Sequence, residues 1–151
     1  MIRRAVGAIV VQNDEILIVH KVKRSEVTNE LDSFRAEWDF PKGGVKNGEL
    51  LEAAILRELF EETGSTAYQI IKKLDDTICF SFEARFTAAT GYTRQVTTMF
   101  IIEYIGDRTD LKSRDDEINA IQFIHKDNVL NYIVHEETGA LYKKYSDIIP
   151  D

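Results

Sequence analysis

Glu58, Glu61 and Glu62 stand at i, i+3 and i+4 within Leu50 to Thr63, a stretch rich in Leu, Ala and Glu that closes at Gly64. Composition and terminal glycine predict a helix there, and a period of about 3.6 residues then places the three carboxylates on one arc. Like charges at these spacings repel, and Arg57 offsets only part of that through its i, i+4 neighbour Glu61. The trio therefore needs a cation. Hard divalent ions take oxygen ligands, and Mg²⁺ in particular combines a few carboxylates with substrate phosphates and water. Upstream, Gly43-Gly44-Val45-Lys46-Asn47-Gly48-Glu49 is a glycine-punctuated loop whose backbone can approach a ligand closely. Glu49 lies at the helix start, where negative charge is favoured.

Gly43, five residues, Glu49, seven residues, then Arg57-Glu58-Leu59-Phe60-Glu61-Glu62-Thr63-Gly64 resembles the signature box of the Nudix hydrolases. Ser65 departs from it, standing where that family usually has an aliphatic residue. The resemblance implies an α/β fold, an α/β/α sandwich with a mixed β-sheet. It also implies a pyrophosphohydrolase that uses Mg²⁺ or Mn²⁺ to attack a nucleoside diphosphate linked to a further group. Carried over residue by residue, Glu58, Glu61 and Glu62 ligate the ion, Arg57 orients the carboxylates and Glu49 supports the loop and helix. Phe40-Pro41-Lys42-Gly43 resembles the Pro-Lys-Gly lead-in of the branch that cleaves diadenosine polyphosphates, which makes Lys42, Gly43 and Gly44 substrate-binding candidates. Arg94-Gln95-Val96-Thr97 also resembles that branch. Dinucleoside polyphosphates such as diadenosine tetraphosphate are thus the first expected substrates. The alternatives are a nucleoside triphosphate, the 5′ end of RNA, or a non-catalytic module that binds a nucleotide.

Two carboxylates outside the box could complete the site. Glu103 lies between Ile101-Ile102 and Tyr104-Ile105 in an apolar strand, where an unpaired charge is costly to bury. It is a metal-ligand candidate, with a strand-end glutamate reaching solvent as the plainer reading. Glu117 follows Arg114-Asp115-Asp116 and precedes a strand, a place where the family often has a further metal ligand or general base. A solvated acidic turn is the alternative. The base is therefore open between Glu117, Glu103 and a box glutamate. Aromatics can stack on a base; Tyr92, in a turn, is preferred to Phe82, which belongs to an alternating apolar set. His20, His125 and His135 show neither metal spacing nor a nucleophile partner.

The 151 residues are the size of one domain, spanning the whole chain, and their composition, 44% hydrophobic and 30% charged, is that of a globular protein. A net charge of −7 argues against a general nucleic-acid binder, so a small nucleotide is the expected partner and a stable nucleic-acid partner is not. No apolar run approaches the ~20 residues of a membrane span, and Met1-Ile2-Arg3-Arg4 leads into a strand, so a cytoplasmic protein without a membrane partner is expected. Cys79, the single cysteine, is expected to be a buried thiol.

Pattern along the chain predicts the scaffold that holds these groups. Ala5–Val11, Asn13-Asp14 and Glu15–His20 read as a hairpin, and Lys21 to Glu37, polar and aperiodic, as a long loop near the site. Trp38 to Lys42 is extended before Pro41. Ala67–Leu74 reads as a strand, and Ile78, Phe80, Phe82, Ala84 and Phe86 as the buried face of another. Gln95–Ile105 is apolar on both faces in its second half, which predicts a central strand. A charged loop over Gly106–Asp116, a strand over Glu117–Ile124 and helices near Lys126–Val134 and Glu137–Ile148 complete the expectation.

Overall fold

The computed structural model describes residues 1–24 and 31–149, with side chains at all of these except 23–24 and 31–35. The hairpin is β1 (Ile2–Gln12) and β2 (Glu15–Arg24), turning through Asn13, whose φ of 56° is one that asparagine tolerates. β3 (Leu31–Asp39) and β4 (Lys42–Gly44) come next, then α1 (Leu51–Thr63), β5 (Tyr68–Ser81), α2 (Ala84–Thr90), β6 (Arg94–Tyr104), β7 (Ile118–His125) and α3 (Glu136–Tyr145). The strands form one mixed sheet in the order β3-β2-β1-β6-β5, with β4 added to β1 and β7 to β2. Among the described strands β1 and β6 are the pair that runs parallel, in register from Ile2–Arg94 to Val11–Glu103.

The alternation of strand side chains divides the core into two layers. On one face Val6, Ala8, Val10, Phe100 and Ile102 pack with Ala54, Ile55 and Leu59 of α1. On the other, Ile9, Val11, Met99 and Ile101 pack with Val129, Leu141 and Tyr142 of the C-terminal segment. Helices thus cover both faces, as expected of an α/β/α sandwich.

One feature of the sheet places the site. β1 pairs with β2 only over Val10–Gln12, and with β4 over Ala5–Gly7. The two hairpin strands therefore separate along their length, and the glycine loop enters the sheet between them, directly beneath α1.

Four expectations fail, each for a local reason. Lys21–Arg24 and Leu31–Glu37 are not loop but parts of β2 and β3, paired with each other through a shift of register between Lys21 and Lys23. Their polar sequence suits an outer pair and hides the two-residue period; residues 25–30 of the expected loop lie outside the described residues. The strand expected to run to Phe86 stops at Ser81, because its partner β6 begins at Arg94, opposite Ser81, and beyond it no ladder remains. Ala84–Thr90 turns instead into α2, which buries none of its residues and ends at Gly91 in the left-handed region. Asp75-Asp76 is absorbed into β5 as an irregularity, and Cys79 is exposed because it stands on this outermost strand.

Candidate functional site

α1 turns Glu58 and Glu62 inward, at 9% and 4% exposure, while Glu61 remains more open. Arg57 ties Glu58 and Glu61 to the glycine loop. Its Nε and Nη2 donate to the two oxygens of Glu49 at 2.8 and 2.9 Å, and Nη2 also donates to the Gly44 carbonyl at 2.8 Å. Its Nη1 donates to Glu58 Oε1 at 2.8 Å and lies 3.3 Å from Glu61 Oε2. One guanidinium thereby spans the loop, the helix start and two carboxylates, a role its planar fork suits and a lysine could not fill. Hydrogen bonds from Arg57, with that of the Lys46 amide, hold Glu49 down at about 2.

Burial works the other way on the inner pair. It raises Glu58 against the pull of Arg57, and pushes Glu62 up to about 7 despite Lys21. Lys21 Nζ sits 3.5 Å from Glu62 Oε2 and donates to the Lys42 carbonyl at 3.3 Å. Burial would lower the Lys21 ammonium, but Glu62 and Asp39 outweigh it and raise it. Lys42 is lowered by burial even with Asp39 3.3 Å away, and its Nζ donates to Thr138 Oγ1 at 3.1 Å.

Glu58 and Glu61 open on a cavity of about 600 Å³, where Lys42, Gly43, Gly44, Asp115 and Glu117 also meet it. Two observations fit a hard divalent ion here. Glu62 Oε1 is buried with no hydrogen-bond partner among the described residues, a costly state for a carboxylate oxygen. A Cβ on Gly43 would fall 1.9 Å from the Glu58 carboxyl carbon, so glycine is required for that carboxylate to lie where it does. An all-oxygen set of this kind suits Mg²⁺ or Mn²⁺. A second group, Glu37, Asp39 and His135, brings ligand atoms within 4.8 Å of one another, but His135 is bonded to Glu37 and Asp39 to Lys42.

The structure does not bring every expected residue to the cavity. Tyr92 follows α2 and does not line it; nor does Glu62, which is buried against the lining residue Lys21, nor Glu103, which stands six residues, about 20 Å, along β6 from the lining residue Thr97. Phe80 does line it, 45% exposed at the cavity rim, edge-on to Phe82, which in turn stacks on Phe86 with centroids 4.2 Å apart. Alternation in the sequence predicts all three in the core; the sheet edge leaves them outside it. Gln95 and Thr97, from the Arg94–Thr97 run noted in the sequence, line the cavity, as do Arg3 and, from the start of α3, His135 and Thr138, which no spacing in the sequence marks.

The family model for the NUDIX domain matches residues 1–145. The chain belongs to this family. Among curated relatives of this NUDIX chain, an RNA pyrophosphohydrolase of Caulobacter vibrioides is 34% identical over 53% of the chain and 49% of its own length. One from Nitratiruptor sp. is 28% identical over 71% and 70%. The chain thus spans about half the length of the Caulobacter relative. Among solved structures, a Methanosarcina mazei MutT protein matches with a TM-score of 0.71 at 18% identity, over 97% of this chain and 94% of that one. A Caenorhabditis elegans Ap4A hydrolase matches at 0.69 and 20%, over 97% and 96%. These likenesses establish the fold, including the mixed sheet between helices. Among the described residues no helix is long and apolar enough to cross a membrane.

Proposed function

We propose that this NUDIX chain is a divalent-metal-dependent pyrophosphohydrolase acting on a nucleotide. The observation that carries this is the buried Glu62 carboxylate with an oxygen lacking any hydrogen-bond partner among the described residues, set against Lys21 and Glu58, which themselves line a cavity with Lys42, Glu61 and Phe80. Glu58, Glu61 and Glu62 would hold Mg²⁺ or Mn²⁺. An ion bound there neutralises phosphate charge and lowers the pKa of water.

The remaining work belongs to the chain. Arg57 fixes the carboxylates before substrate arrives, so little reorganisation accompanies the reaction. Lys21 offers positive charge within the acidic site. Asp39, Asp115, Glu117 and Glu137 are lining carboxylates outside α1; Asp115 and Glu117 sit on the loop bonded to the helix at Glu61, and Glu117 is our choice to take the proton of the attacking water at a side-chain oxygen. Phe80, not Tyr92, is the surface on which a base would stack.

For substrate, the names of the sequence relatives favour a triphosphorylated RNA 5′ end. A dinucleoside polyphosphate is the second reading, supported by the Pro41-Lys42-Gly43 lead-in. The test is chromatography of products after incubation with Mg²⁺ and a panel of triphosphorylated RNA, diadenosine tetraphosphate, nucleoside triphosphates and ADP-ribose. Chelator-sensitive release of phosphate or pyrophosphate from RNA supports the first reading, and ATP plus AMP from diadenosine tetraphosphate supports the second. Tight nucleotide binding without any product would leave a binding module instead.

A further inference from the structure

The position where the signature box departs from its family, Ser65, points to a device outside the box. Ser65 is 1% exposed; its Oγ donates to Asp110 Oδ2 at 2.5 Å and accepts from the Ala67 amide at 2.9 Å. Tyr104, the last residue of β6 and equally buried, donates its hydroxyl to the other oxygen, Asp110 Oδ1, and accepts from the Arg108 amide at 2.8 Å. One carboxylate is thus gripped by the exit of α1 and the end of β6.

The segment C-terminal to Asp110 is docked on α1. The Lys112 amide donates to the Thr63 carbonyl at 2.7 Å and the Arg114 amide to the Glu61 carbonyl at 2.9 Å. Both acceptors lie in the last helical turn, where carbonyls have no partner within the helix. The approach is close: Gly64 holds φ at +80°, and a Cβ there would stand 2.2 Å from the Lys112 carbonyl oxygen. The Asp115 amide then donates to Ser113 Oγ at 3.0 Å and the Glu117 amide to Asp115 Oδ1 at 2.9 Å, while the Glu117 carbonyl accepts from the Val22 amide at 2.7 Å. Through this chain of bonds the backbone of Glu61, whose side chain faces the cavity, is joined to the loop that delivers Asp115 and Glu117 to the same cavity.

We propose that Asp110 is a positioning residue: clamped by Ser65 and Tyr104, it docks residues 106–117 on the end of α1 and so holds Glu117 at the reacting water. This rests on the reading of Glu117 as the base. Such a device has a purpose, because displacement of a reacting group by about an ångström can cost on the order of 10²-fold in rate. The hydroxyls of Ser65 and Tyr104 hold Asp110 below the usual carboxylate range, which keeps it an acceptor for both.

The test compares Asp110→Ala, Glu117→Gln and the double variant in the full chain, with Mg²⁺ and whichever of triphosphorylated RNA or diadenosine tetraphosphate the wild type converts. Hydrogen exchange of the Lys112 and Arg114 amides is followed in parallel and needs no substrate. We expect Asp110→Ala to lower kcat roughly 10- to 100-fold with KM within about 3-fold, and to add nothing in the Glu117→Gln background. We expect the two amides to exchange at least about 10-fold faster in it, with α1 amides unchanged. Multiplying effects in the double variant, or amides protected as in the wild type, overturn the proposal while leaving the base assignment intact. Full turnover in Glu117→Gln overturns both. Should Asp110→Ala not fold, Asp110→Asn carries the same comparison, since its amide replaces one of the two acceptor oxygens with a donor.

Discussion

Glu62 is the carboxylate whose surroundings are most at odds with its charge. It is buried, one oxygen is without a partner among the described residues, and only Lys21 offsets the burial that pushes it up to about 7. A folded-state value above the ordinary one means that the folded chain binds this proton more tightly than the unfolded chain. The resulting stabilisation of metal-free protein is complete at low pH and is lost as pH rises from the ordinary carboxylate value through about 7. At about 1.4 kcal/mol per unit, the loss is on the order of 3 kcal/mol. Urea unfolding in chelator at pH 5 and pH 8 measures it. Glu62→Gln, which cannot titrate, should flatten the difference and lower turnover at least ~10²-fold. An identical pH difference in wild type and variant would remove Glu62 as its source.

The meeting of β4 with α1 carries the next expectation. Gly43→Ala places a methyl group within 1.9 Å of the Glu58 carboxyl carbon, so the carboxylate must leave its place beside Arg57 Nη1. Turnover should fall at least ~10²-fold and the rise in melting temperature on adding Mg²⁺ should disappear, with the unliganded melting point lowered far less. A Mg²⁺ shift equal to that of wild type would show that Glu58 holds no ion. The residues were legible in the sequence, since Gly43, Arg57 and Glu58 stand out through the resemblance to the family box, but their contact was not. The central strand β6 was legible too, where a run apolar on both faces has only one place in a sheet. The outer elements were not. β5 alternates as a buried strand would, yet Phe80 is 45% exposed, because β5 is a sheet edge and its partner β6 begins only at Arg94. Lys21 was expected near the site only as the start of a polar loop; it stands instead on β2, and the separation of β1 from β2 brings it against Glu62. Local pattern reports burial on an element's faces, whereas cavity lining depends on which elements diverge.

The whole chain carries a net charge of −7, and this bears on the reading of RNA as substrate. Affinity for a nucleic-acid backbone comes from phosphates neutralised by Lys and Arg, with log K falling by about 0.7 per contact for a single strand as log salt rises. An acidic molecule has little beyond its cavity with which to make such contacts. On the RNA reading, binding energy would be concentrated on the terminal phosphates, at Lys21 and the ions that the carboxylates would hold, and on the first base or two at Phe80. Lengthening a triphosphorylated RNA from about three to about twenty nucleotides should accordingly change KM by less than about 3-fold, and the salt slope of kcat/KM should correspond to no more than about two or three phosphates. Kinetics on a series of RNA lengths at several salt concentrations decides this. A KM that falls steadily with length would mean that the acidic total conceals a basic track leading from the cavity, and the stacking surface at Phe80 would then be only its first step.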